Sequence, residues 1–240
     1  MPYERLEADA VLATAQRLQG RIQARFPDRN LSRVAEQLVT VATDLDQAVA
    51  RTLPVRVVRV AGLVLIAALL VLAVISVVAV GVEMLGNGSD AVNWMSTVST
   101  MISNLVYVGV AVLFLWVLPA QLERQRILGE LHRLRSLAHV IDMHQLTKDP
   151  ERFADAYRPT SHSVQVGLSA IDMATYLDYC SELLSLVAKT AAVYAERTTD
   201  PAVLATISDI ENLTNGMARK IWQKLGLLPG VGGGASNAAN

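Results

Sequence analysis

A single cysteine, Cys180, stands among 240 residues. No intrachain disulfide can form, and a reducing compartment suits the chain. Charge of one sign is also missing, since 21 basic and 22 acidic side chains leave a net charge of −1. A nucleic-acid partner would call for a basic excess on one domain, so none is expected. Aromatic residues make up only 5% of the chain. No Gly-x-Ser-x-Gly elbow or phosphate-cradling glycine loop occurs, and no strand pattern is present to support either. A secretory signal peptide is not expected, because Glu4, Glu7 and Asp9 lie in the opening residues. Two further stretches, Val60–Val82 and Ala91–Leu118, contain no charge at all.

Those charge-free runs dominate what the sequence predicts. About 20 helical residues cross a hydrocarbon layer, and inside lipid a helix pairs all of its own backbone amides. The reading is therefore all-α: a two-span transmembrane helical hairpin with a cytoplasmic helical bundle built from N- and C-terminal helices. The domains are residues 1–54 (N-terminal cytoplasmic helices), 55–120 (the hairpin, spans about 60–82 and 95–118), 121–228 (C-terminal cytoplasmic helical domain) and 229–240 (a disordered Gly-rich tail). Arg51, Arg56 and Arg59 precede the first run, Arg124, Arg126, Arg133 and Arg135 follow the second, and the intervening loop has no Lys or Arg. The positive-inside rule then places both termini in the cytoplasm and the Gly86-Asn87-Gly88 turn outside a bacterial inner membrane.

Helical periodicity organises the rest. Leu6, Ala10, Ala13, Leu18 and Ile22 form a loose stripe over 4–25, ended by Pro27. Leu31, Val34, Leu38, Val41, Leu45 and Ala48 form an a/d seam over 31–52, suited to packing within the chain or to self-association. Pro54 marks a break. Ile127, Leu131, Leu134, Ala138 and Ile141 continue the pattern over 121–145. A short helix is predicted for Pro150–Tyr157. Met173, Leu177, Cys180, Leu184, Val187, Ala191 and Tyr194 define the clearest helix, over 168–197. Asp200-Pro201 is a strong start signal for the last one, with Leu204, Ile207, Ile210, Met217, Ile221 and Leu225 inward and Gly226 as a left-handed cap.

Three groups carry the functional expectations. Ser96, Thr100, Ser103, Asn104 and Tyr107 share one face of the second run, as a helix interface or, in an oligomer, a pore lining. Arg135, His139, Asp142 and His144 form the densest polar cluster; Arg135, His139 and Asp142 share a face. No two histidines have the spacing that chelates a metal from one helix, so neither metal nor cofactor is expected. His162 lies in the polar loop Pro159–Ser163, which has the length for a small-ligand site. Trp222 with Arg219, Lys220 and Lys224 makes a basic-aromatic helix end, suited to an anion or to the helix dipole. Cys180 on the apolar seam reads as a buried residue. The expected function is a non-enzymatic integral membrane protein that self-associates as a scaffold or gated pore. The alternative is a membrane-anchored sensor of a small anionic ligand or lipid headgroup, and the third reading is an enzyme centred on His139 and Asp142. The partners expected are a lipid bilayer, further copies of the chain and a small anionic ligand.

Overall fold

The computed structural model describes residues 6–50, 60, 62–64, 66–71, 74, 75, 77, 78, 81, 82, 91–165 and 167–229. Every regular element among them is helical: α1 (Ala8–Arg25), α2 (Leu31–Ala50), α3 (Ala91–Leu146), a 3-10 turn (Pro150–Phe153), α4 (Ala170–Ala195) and α5 (Pro201–Leu225). The chain divides into two compact units, one made of Met1–Ala50 with Arg126–Asn240 and the other of Arg51–Gln125.

In the first unit, helix starts follow side-chain chemistry. Asp200 Oδ1 accepts from the amides of Ala202 and Val203 at 2.9 and 3.2 Å, and Pro201, with no amide hydrogen to leave unpaired, takes the first helical position. Ser169 caps α4 by accepting from the Asp172 amide at 3.0 Å, while its hydroxyl donates to the Asp172 carboxylate. Asp149 accepts from the Glu151 amide and starts the 3-10 turn. That turn stops at Phe153, shorter than the helix predicted through Tyr157. The left-handed glycine is Gly167, at φ 57°, whereas Gly226 ends α5 in right-handed geometry.

α4 is the central helix of this unit. Its seam residues Met173, Leu177, Cys180, Leu184, Val187, Ala191 and Tyr194 are all buried. α5 packs along it through Val203, Ile207, Ile210, Thr214, Met217 and Ile221. Leu204, expected inward, is 38% exposed, because Val203 takes the buried position beside it. α1 buries Ala8, Val11, Ala15, Leu18 and Ile22, one residue out of phase with the predicted stripe in its first half, where alanines at 8, 10, 13 and 15 give periodicity little to choose between. Phe26 packs edge-on to Tyr176 and Tyr179 at ring-centroid distances of 5.5 and 6.1 Å, seating the end of α1 on α4. Arg21 lies over the Tyr179 ring and bridges to Glu182 at 2.8 Å. The α2 seam Leu31, Val34, Leu38, Val41 and Leu45 is buried in the unit's own core, as are Leu131, Leu134, Ala138 and Ile141 of α3.

The second unit corrects the sequence reading. Among the described residues no helix is long and apolar enough to cross a membrane. That finding overturns the two-span hairpin, and with it the scaffold or pore, the membrane-anchored sensor and the inner-membrane address. The physical reason is that a charge-free run bounds what a segment is able to do without fixing what surrounds it; periodicity and length do not identify the solvent. The Gly86–Gly88 turn, Pro54, the flanking Arg51, Arg56 and Arg59, and the tail from residue 230 lie outside the described residues. Ser103 and Tyr107 of the polar face are exposed on α3, and the Ser103 hydroxyl donates to the Ser99 carbonyl at 3.0 Å. That bond satisfies the hydroxyl within its own helix. The side chains of Ser96, Thr100 and Asn104 lie outside what is described.

Candidate functional site

The cluster predicted near the end of α3 does not close into a site. Arg135 and His139 are exposed. Asp142 faces along its own helix and accepts from Gln145 Nε2 at 2.7 Å, in place of a bond from His139. His144 is half-buried, and burial together with the nearby Lys148 ammonium holds its pKa below the usual histidine range. His162 is exposed. Among the described residues no group of three or more His, Cys, Asp or Glu is placed to hold a metal ion.

Polar chemistry gathers instead where α3 ends. The chain leaves α3 at Leu146 and turns through Thr147, Lys148 and Asp149 into the 3-10 turn. Lys148 is only 8% exposed. Its ammonium donates to Thr147 Oγ1 at 2.9 Å and sits 4.9 Å from the centre of the Tyr176 ring. Burial is the main cause of a lowered Lys148 pKa; the charges of Arg29, Arg152 and Lys224 push the same way. Four cationic side chains from three stretches of sequence therefore share one end of the bundle.

Each is positioned by the fold. Lys224, in the last turn of α5, donates to the carbonyls of Gln145 and Lys148 at 2.9 and 3.2 Å. It thereby stitches the end of α5 to the end of α3; burial lowers its pKa, and Asp149 and Asp142 nearby offset that only in part. The basic-aromatic end expected on α5 thus resolves into a half-buried Lys224, with Trp222 exposed. Arg29, in the α1–α2 turn, donates to the Gly167 carbonyl at 3.4 Å. Arg152 belongs to the 3-10 turn; its Nε is buried and has no hydrogen-bond partner. Gln145, 1% exposed, leaves Oε1 without a partner. Such orphaned polar atoms are uncommon in folded proteins.

Beside this cluster lies a crevice of about 260 Å³. It is lined by Arg152, Phe153 and Tyr157, by Leu168 and Met173, and by Pro159, Ser163, Val164 and Gln165 of the connecting strap. Two residues of the polar loop singled out from the sequence, Pro159 and Ser163, are therefore at this crevice, while His162 is not in its lining. The Ser163 hydroxyl accepts from the Thr160 amide at 2.8 Å, which folds the strap back on itself. A second crevice of about 240 Å³ adjoins Leu168 on the Arg29 side. It carries Asp28 and Asp172, and Arg25 there is paired with Asp172 at 2.7 Å.

Cys180 is fully buried, and burial pushes its thiol up to about 12 against the pull of Lys148 and Lys224. A thiol so held is a packing residue and not a nucleophile. Sequence reasoning missed Lys148, Arg152, Arg29 and Gln145. Gln145 continues the Leu131–Ile141 stripe as a polar residue, Lys148 and Arg152 follow it locally, and only Arg29 is brought in through tertiary packing. Compared with family models, curated proteins and solved structures, the chain matches none.

Proposed function

We propose that the first unit is a helical binding module for a small anion, held at the end of α3 where Lys148, Arg152, Arg29 and Lys224 converge. The observation that carries the reading is Lys148. A buried ammonium is retained beside three further cations and, among the described residues, forms no ion pair with a carboxylate. Burying a charge costs free energy unless an opposite charge accompanies it. An arriving anion supplies that charge, and the free donor of Arg152 gives it a charge-assisted hydrogen bond. Asp149 and Asp142 favour the Lys224 charge, which leaves Lys148 and Arg152 as the groups with most to gain.

The test is thermal unfolding of the full chain, followed by helical circular dichroism, in sodium phosphate against sodium chloride at matched ionic strength. A ligand at a hundred times its dissociation constant adds about 2.7 kcal/mol to stability. In a domain of this size that raises Tm by about 5–10 °C. A saturable rise in phosphate that is absent in chloride and lost in Arg152→Gln is expected. Equal Tm in the two salts would overturn the reading.

A further inference from the structure

The crevice constrains what kind of anion enters, and this step rests on the anion-binding reading above. Its lining contains one charged residue, Arg152, and no carboxylate. The rest of the lining is mixed: Phe153, Val164, Leu168 and Met173 are apolar, while Tyr157, Ser163 and Gln165 are polar. The adjoining crevice differs in kind, because Arg25 and Arg29 there are matched by Asp28 and Asp172, with Arg25 already paired with Asp172. An anionic group meets carboxylates there and none at Arg152.

We infer that the ligand is an amphipathic monoanion or dianion: one phosphate or carboxylate group carried on a flat apolar body the size of a single aromatic ring. The charged group pairs with Arg152 at the cationic end. The body lies between Phe153 and the Val164 strap, above Leu168. A cavity of about 260 Å³ holds a ring with one substituent and falls just below the range of pockets that take drug-sized ligands. Bare inorganic phosphate leaves the apolar wall wet, so it binds through Arg152 and its neighbours alone.

The experiment is isothermal titration of the full chain with phenyl phosphate, inorganic phosphate and benzyl alcohol, on the wild type, Arg152→Gln and Val164→Asp. Val164 is 55% exposed on the strap, so an aspartate there is tolerated by the fold and places a carboxylate at the mouth of the crevice. Phenyl phosphate is expected to bind roughly tenfold or more tightly than inorganic phosphate, through the buried ring. Both variants should weaken phenyl phosphate by about tenfold or more, the factor supplied by a charge-assisted hydrogen bond or lost to a facing like charge. Equal affinity for phenyl phosphate and inorganic phosphate would overturn the amphipathic ligand and leave the anion site standing. Benzyl alcohol binding as tightly as phenyl phosphate, or no binding by either phosphate, would overturn both. Undiminished phenyl phosphate binding by Val164→Asp would place the ligand elsewhere and overturn the inference.

Discussion

Replacing Lys148 with Met should make the protein more stable while weakening its hold on anions. In its favour the ammonium has one hydrogen bond to Thr147 and the face of the Tyr176 ring. A hydrogen bond from a charged donor contributes about 1.5–3 kcal/mol. A partly desolvated cation–π contact contributes about 1–2 kcal/mol. Against it stands the desolvation of a side chain 8% exposed, which costs several kcal/mol per ion even after relaxation. Repulsion from Arg29, Arg152 and Lys224 adds to that cost. Methionine fills a similar volume without the charge, so the balance favours the variant by about 1 kcal/mol, or about 2–4 °C in Tm. The sign of the pH dependence follows from the same shift. Because the folded-state pKa of Lys148 lies below its ordinary value, the unfolded chain binds more protons between the two values. Wild-type stability therefore rises with pH across that window relative to Lys148→Met, and the gap closes as pH approaches 10.5. Urea unfolding of both proteins at pH 7 and pH 10 measures it. A variant less stable than wild type by 1 kcal/mol or more at pH 7 would show that the ammonium is satisfied by its present neighbours, which refutes the reasoning.

Three further outcomes follow from the fold. Leu184→Ala, at a fully buried position of α4, should cost about 3–5 kcal/mol through lost burial and the cavity left behind, read as a lower urea midpoint. Asp200→Ala removes the acceptor for two amides at the start of α5 and should cost about 1 kcal/mol, whereas Asp200→Asn should restore most of it. Asp172 is held below the usual carboxylate range, first by the Ser169 hydroxyl and then by Arg25; its stabilising effect is present at neutral pH and lost as pH falls through the folded value. Asp172→Asn should therefore flatten part of the acid limb of a stability–pH curve, and an unchanged limb would assign that limb to other groups.

The all-helical class and most of the first unit were legible from periodicity. Met173 to Tyr194 at spacings of four and three is a statement about one face of α4, and that face is the core. Asp200-Pro201 fixed a helix start because the chemistry is local to four residues. The α1 stripe was misphased where alanines carry little burial signal. The two apolar runs misled for a different reason: the absence of charge bounds how far a helix can extend in lipid but does not identify its surroundings. The site was least legible of all. Arg135, His139 and Asp142 are close along one helix, and closeness of that kind is visible in sequence, yet Arg135 and His139 face water and Asp142 turns to Gln145. Arg29, Lys148, Arg152 and Lys224 are brought together by the packing of α5 against the end of α3 and the seating of Phe26 on α4. Of the polar loop at Pro159–Ser163, Pro159 and Ser163 line the crevice.

The central claim is that Lys148 and Arg152 together await a negative charge. The most direct measurement is the pKa of the Lys148 side chain by nitrogen-edited NMR of the full chain, its signal assigned by its loss in Lys148→Met, with and without saturating phosphate. Binding linkage requires that an anion recognised beside the ammonium raise that pKa toward the ordinary lysine value. A Lys148 pKa that stays low and unmoved while phosphate is raised to saturation would contradict the account.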